Sequence, residues 1–331
     1  MVTVEPETTP IPNPLPTEEE KTELINLDKS KIKSVISDVS DEYANLHFGG
    51  LDSKSARFNY LFDGVKEASV TLVEHLISEL SQSEFTPVDF ELDIGNDISA
   101  YRLELSDGLS VTVTGKVDRA DILRKDDKAY IRIVDYKTGT KVFSLSDVIY
   151  GLNLQMLLYL SVIKNKGQSR YGAEVVPAGV LYMPAFVPTL EMAADASGEE
   201  ILAERNKKLR MNGILLNDQA VLSSMDKDLK GMYIPVSMGS KGLKGTDNLA
   251  TLEEFGAVFA HIDKLIAKMA TELLSGDVDA TPAMYSYDAC QYCPYSAVCI
   301  GRDNEKAQAV FKLDREEILK ELGLNKEEGE K

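Results

Sequence analysis

The chain has 331 residues, 44% hydrophobic and 27% charged, which supports a packed core and excludes global disorder. Lys and Arg number 36 against 54 Asp and Glu, a formal net charge of -18. That balance excludes a general polyanion-binding surface and confines any nucleic-acid contact to a local groove, a metal or a basic partner.

Residues 1–50 are expected to be linker-like or disordered, because Pro6, Pro10, Pro12, Pro14 and Pro16 interrupt a polar, Glu- and Thr-rich start. A linker at the start leads to the expectation that the chain is a C-terminal fragment of a longer protein. Leu61, Val65, Leu72, Leu76 and Leu80 form one apolar stripe and predict a helix over 56–80. Strand-like runs follow at Val88–Ile94, Tyr101–Leu105, Leu109–Ile122 and Ala129–Tyr136, the last two showing the alternation of half-buried strands. A helix capped by Ser144 or Ser146 is predicted to run on through Ile163, apolar nearly all round. Ala178–Met183 reads as a strand, 198–210 as a helix, and 252–275 as an amphipathic helix with Phe255, Val258, Phe259 and Ile262 inward. Gly239–Thr246 lacks the Gly-Lys-Ser/Thr ending of a phosphate loop and reads as a mobile loop, and no ATPase motif is present.

The longest mostly apolar run, Val148–Ile163, is too short for a membrane span and carries Asn153 and Gln155. No basic region leads into an apolar run at the N-terminus, so a cytoplasmic setting is expected.

The chemistry concentrates in Gly115-Lys-Val-Asp118-Arg119 and Val134-Asp135-Tyr136-Lys137-Thr138-Gly139. Residues two apart on a strand share a face, so Asp135 and Lys137 point the same way. Lys125-Asp126-Asp127-Lys128 separates the two strands and suggests a hairpin. A turn centred between Asp126 and Asp127 sets Asp118 opposite Asp135, about 5 Å apart at Cβ. Two adjacent carboxylates are unfavourable unless a cation neutralises them, and a hard divalent ion such as Mg2+ would do so. A neighbouring lysine then completes equipment for phosphodiester hydrolysis. Gln155 and Tyr159, four apart on the next helix, share a face and could contact the substrate.

This ordered set resembles the RecB-type PD-(D/E)XK nucleases. The resemblance implies an α/β, restriction-endonuclease-like core over 51–190, with a mixed central sheet flanked by helices and with helical and loop additions over 191–285. It implies Asp118, Asp135 and the Tyr136 carbonyl as Mg2+ ligands, with Lys137, Gln155 and Tyr159 completing the active site. Phe85–Glu91, Ala178–Tyr182 and the C-terminal Cys segment are similar to the AddB-type nuclease domains of that family. The similarity implies a Mg2+-dependent exonuclease acting on unwound single-stranded DNA in AddAB/RecBCD-like double-strand break repair by homologous recombination. An AddA-like helicase–nuclease is the implied heterodimer partner.

Cys290, Cys293 and Cys299 form C-x2-C-x5-C within 286–302, before an acidic tail over 303–331. Clustered thiols without a disulfide framework read as metal ligands. The resemblance implies a 4Fe–4S cluster, whose fourth ligand lies outside this sequence or is replaced by Asp288. The family's upstream histidine has no counterpart in its usual context. His75 reads as solvated, His261 as surface and His47 as uninformative, while Glu91 reads as a strand-end surface residue. The alternative to an enzyme is a non-catalytic DNA-end-binding or docking module with an incomplete nuclease and cluster site.

Overall fold

The computed structural model describes residues 17–105, 108–139, 141–193, 195–285, 288–299 and 307–324. The proline-rich start therefore lies outside the described residues, as do 303–306 and 325–331 of the acidic end. Residues 17–50 differ from the linker expected there: they hold α1 (Glu18–Ile25) and α2 (Lys29–Phe48). Asp28 caps α2 by accepting from the Lys31 N–H, and Gly49 ends it at φ 70°. Ile32 and Ala44 are the buried positions of α2. Phe48 meets Phe58 and Phe62 of α3 (Ala56–Gln82) edge to face. Sparse apolar residues thus suffice for a helical hairpin once a second helix covers them.

After α3 come β1 (Thr86–Ile94), β2 (Tyr101–Glu104), β3 (Ser110–Val113), β4 (Gly115–Lys125) and β5 (Lys128–Lys137). The single strand expected over 109–122 is two, because the chain leaves a β2/β3 ribbon and enters the central sheet at Thr114–Gly115. Next are α4 (Leu145–Ile149), α5 (Gln155–Lys166), α6 (Gln168–Tyr171), β6 (Glu174–Pro184), α7 (Gly198–Leu209), β7 (Asn212–Leu216) and α8 (Gln219–Met225). The expected continuous helix through Ile163 is broken between α4 and α5. Gly151 and Asn153 adopt positive φ there, and Asn153 donates to Asp147. The predicted mobile loop is instead a short hairpin, β8 (Ser237–Gly239) with β9 (Gly242–Lys244). The chain ends through β10 (Leu249–Ala250), α9 (Leu252–Leu274), β11 (Ala283–Tyr285), β12 (Gln308–Val310) and α10 (Arg315–Glu321). Ile318 of α10 is buried, so part of the expected acidic tail packs onto the body.

The central sheet runs β1-β4-β5-β6-β7-β10. β1, β4 and β5 are antiparallel neighbours, β5 and β6 are parallel, β6 and β7 antiparallel, and β7 and β10 parallel. The β7–β10 end of this sheet lies beyond residue 190, so the region expected as additions supplies two of its strands. Ile131, Ile133, Val134, Leu157, Leu160, Ile163 and Leu181 are fully buried in the core that the sheet and its flanking helices share. No helix among the described residues is long and apolar enough to cross a membrane.

Candidate functional site

The β4–β5 hairpin sets the site. Asp126 and Asp127 both adopt left-handed φ, 51° and 57°, so the two-residue turn is of the I′ kind without glycine. The ladder pairs Lys125 with Lys128 and continues to Arg119 with Val134. Asp118 and Asp135 are the next residues beyond the last ladder pair. Ladder pairing stops there, and the Asp118 carboxylate takes its place by accepting the Tyr136 main-chain N–H at 3.0 Å. Asp135 is buried, with 8% exposure, and forms an ion pair with Lys137. Lys137 Nζ also lies 5.7 Å from the centre of the Tyr182 ring. Burial, followed by the charges of Asp135 and Asp147, pushes the Tyr182 hydroxyl up to about 12, so it stays a protonated phenol.

Strand alternation sorts these residues. Asp118, Asp135 and Lys137 share one face, while Arg119, Asp121, Arg132 and Tyr136 share the other. On that second face lies a buried ionic network that the sequence motifs do not signal. Arg119 and Arg132 both pair with Asp121 at 2.8 Å, and Arg132 pairs with Glu79 of α3 at 2.7 Å. Arg119 donates to the Tyr136 hydroxyl at 2.9 Å. Burial by itself would favour an uncharged Arg119, but Asp121, Tyr136 and Glu79 together hold its proton more firmly than usual. Tyr136 therefore bridges the two faces: its side chain joins the network and its main chain holds Asp118. The signal in the sequence is three charged residues alternating through otherwise apolar strands; their partner Glu79 sits far away along the chain.

Gln155 opens α5 and donates to the Tyr159 hydroxyl at 3.2 Å. Gln155 is exposed and Tyr159 buried. Tyr159 packs against the start of β4 so closely that a Cβ on Gly115 would stand 2.1 Å from its hydroxyl. The glycine of Gly-x-x-Asp-Arg thus leaves the space that the tyrosine of Gln-x-x-x-Tyr fills, which ties the two motifs together. Glu91 is exposed, lies across β1 from Asp118 in the register, and adopts φ 53°. Its carboxylate is 3.9 Å from Lys116.

The histidines differ from their expected settings. His75 is buried rather than solvated, because α3 turns its His75–Glu79 side into the body of the protein. Its ring lies 5.4 Å from that of Tyr233, and burial holds its imidazole below the ordinary value. His261 is half-buried and bonds the Ile149 carbonyl at 3.1 Å. His47 lies against Tyr43.

The carboxylates of Asp118 and Asp135, on adjoining strands just past the last ladder pair, make the donor set on the hairpin all oxygen. Asp135 Oδ2 has no hydrogen bond beyond its ion pair with Lys137. These features fit a hard divalent cation. The Cys segment fits its expected group less well. Cys290 and Cys293 are half-buried and Cys299 exposed. Among the described residues, no group of three or more His, Cys, Asp or Glu side chains is gathered to hold a metal. The three thiols and Asp288 therefore do not form a four-ligand set, although the Asp288 carboxylate accepts the Cys290 N–H.

The family model of the PD-(D/E)XK nuclease superfamily matches residues 26–300. The chain belongs to the PD-(D/E)XK nuclease superfamily. Its match covers the helical hairpin, the whole central sheet and the Cys segment. The chain is also similar to proteins named as the B-type component of an ATP-dependent helicase/deoxyribonuclease. It is 36% identical to that of Clostridium novyi over 302 residues, covering 88% of this chain and 27% of the relative. It is 34% identical to that of Clostridium acetobutylicum over 256 residues, covering 76% and 22%. The protein of Caldanaerobacter subterraneus is 32% identical over 306 residues, covering 90% and 26%. The chain thus spans about a quarter of the length of these relatives.

Proposed function

We propose that this PD-(D/E)XK domain is a Mg2+-dependent deoxyribonuclease that cuts unwound single-stranded DNA during double-strand break repair. The observation that carries this reading is the β4–β5 hairpin, which carries two carboxylates and an ammonium on one face at the end of its ladder. In this reading Asp118, Asp135 and the Tyr136 carbonyl hold the metal. When bound, that ion would polarise the phosphodiester and lower the pKa of a water. Lys137, kept in place by Asp135 and the Tyr182 ring, orients the attacking water or stabilises charge developing on the phosphate. Tyr159 and Gln155 position the strand from the α5 side. The names of the relatives pair a helicase with a deoxyribonuclease, which supports delivery of the strand by a motor. An AddA-like partner would supply it, and much of the basic channel that a chain of net charge -18 lacks.

The test is cleavage of end-labelled single-stranded DNA with Mg2+, with and without EDTA, beside Lys137→Ala. The expected result is metal-dependent cleavage that falls at least ~100-fold in the variant, with the thermal transition unchanged. Cleavage retained by a folded Lys137→Ala protein overturns the assignment. Strand binding without cleavage by the wild type would instead support a docking module.

A further inference from the structure

Beside the carboxylate pair, at the carboxyl ends of the parallel strands β5 and β6, the surface opens into a cavity of about 180 Å³. Its lining includes Lys137, Lys141, Lys208 and Arg210, with Tyr182 and Phe186 as aromatic walls. Among the described residues, no carboxylate lines it. That concentration is unusual in a chain with 54 acidic and 36 basic residues. A larger recess of about 570 Å³ shows the contrast: it borders α7 and is lined by Glu191, Asp195, Glu200 and Glu204 against Lys207.

The cations come from separate elements. Lys137 ends β5 and Lys141 follows it, Lys208 lies in the last turn of α7, and Arg210 follows that helix. The Lys141 ammonium lies 5.0 Å from the centre of the Tyr182 ring and Lys137 5.7 Å, so two like charges share one aromatic ring. Lys208 donates to the Thr189 carbonyl and Arg210 reaches towards the Gly231 carbonyl, which tethers both at the rim. Lys137 is already paired with Asp135, but Lys141, Lys208 and Arg210 have no counter-charge in the lining, and an anion between them relieves their mutual repulsion. The recess is open to solvent and has room for a phosphate group.

We propose that this cavity is a phosphodiester subsite, in which Lys141, Lys208 and Arg210 hold the backbone phosphate next to the scissile one. The inference rests on the nuclease reading, since Lys137 belongs to both the cavity and the carboxylate pair. The subsite would fix the register of the strand, so that one phosphate locks while its neighbour meets Asp118 and Asp135. It gives an otherwise acidic domain a local grip on a single strand.

The test uses the full chain and a fluorescent oligothymidylate in EDTA, which prevents cleavage. Binding is followed by anisotropy across a salt series for wild type, Lys208→Ala/Arg210→Ala, and Lys208→Arg/Arg210→Lys. Lys29→Ala/Lys33→Ala is the control, because it makes the same change in net charge on α2. Neutralising one single-strand phosphate contributes about 0.7 to the slope of log K against log salt. The expected result is a slope about 0.7 shallower and affinity about tenfold weaker in Lys208→Ala/Arg210→Ala, with wild-type behaviour in the charge-preserving pair and the control. An unchanged slope in the alanine pair overturns the subsite, as does wild-type protein without salt-dependent binding. The two readings separate cleanly. Cleavage lost in Lys137→Ala with an unchanged slope removes the subsite and keeps the nuclease. A shallower slope with cleavage retained in Lys137→Ala keeps the phosphate grip of Lys208 and Arg210 and removes the catalytic assignment of Lys137.

Discussion

Replacing Glu79 with Leu tests the buried network behind the face that carries Asp118, Asp135 and Lys137. Glu79, Arg119, Asp121 and Arg132 are each at most 1% exposed, and their charges balance as two cations against two anions. Removing Glu79 breaks the 2.7 Å pair with Arg132 and leaves one positive charge uncompensated inside the protein. Breaking a buried pair in this way costs about 3–5 kcal/mol, whereas an exposed pair contributes ~0.2–1 kcal/mol. Lys33→Ala, which breaks the exposed pair with Glu67, is the internal comparison. The double variant Glu79→Leu/Arg132→Met restores neutrality and leaves Arg119 with Asp121. Its cost is expected to fall short of the sum of the single costs by about 1–3 kcal/mol. Equilibrium urea unfolding, compared at unchanged slope, measures each variant against the wild type. A Glu79→Leu cost no larger than that of Lys33→Ala, or strict additivity in the double variant, would refute the reasoning.

Other expectations follow from the same geometry. Gly115→Ala places a methyl group 2.1 Å from the Tyr159 hydroxyl, so it should cost about 1–3 kcal/mol and depress cleavage. Adding Tyr159→Ala should relieve the clash without restoring cleavage, as read by paired melting and nuclease assays. Tyr136→Phe removes the acceptor of Arg119 but keeps the main-chain bond to Asp118. It should destabilise by about 1–3 kcal/mol in a urea titration while cleavage persists. Burial holds His75 below its ordinary value of 6.5, so its contribution to stability is complete above that pH. That contribution is lost as pH falls from there through the folded value, because the unfolded chain binds the proton more readily. His75→Gln should flatten this part of the stability–pH curve, and an unaltered slope would count against a buried neutral imidazole. Mg2+ should raise the melting temperature of the wild type by relieving Asp118–Asp135 repulsion, and EDTA should reverse it. Asp118→Asn should respond to neither.

The register of the hairpin was legible in the sequence because its information is local. Asp-x-Lys on one strand, Gly-x-x-Asp-Arg on the strand before it, and a two-residue turn suffice to set which side chains share a face. The Gln155–Tyr159 spacing is local in the same sense. Other features depend on partners distant along the chain. The charged residues of β4 and β5 read as alternating polar positions until Glu79 arrives from α3, some fifty residues earlier. His75 reads as solvated beside its acidic neighbours until the body of the protein covers that side of the helix. The helical hairpin at 17–50 looked like linker because its few apolar residues become significant only against α3. Lys141, Lys208 and Arg210 are ordinary surface cations in sequence. Only the sheet, by setting β5, β6 and the end of α7 side by side, gathers them around one cavity. The sequence by itself therefore determined the local register of the hairpin, since a strand's two-residue period fixes which side chains face together. Tertiary structure alone decided which charges are buried, which are paired and which stand open to an anion, because burial and charge balance depend on elements the chain brings together from afar.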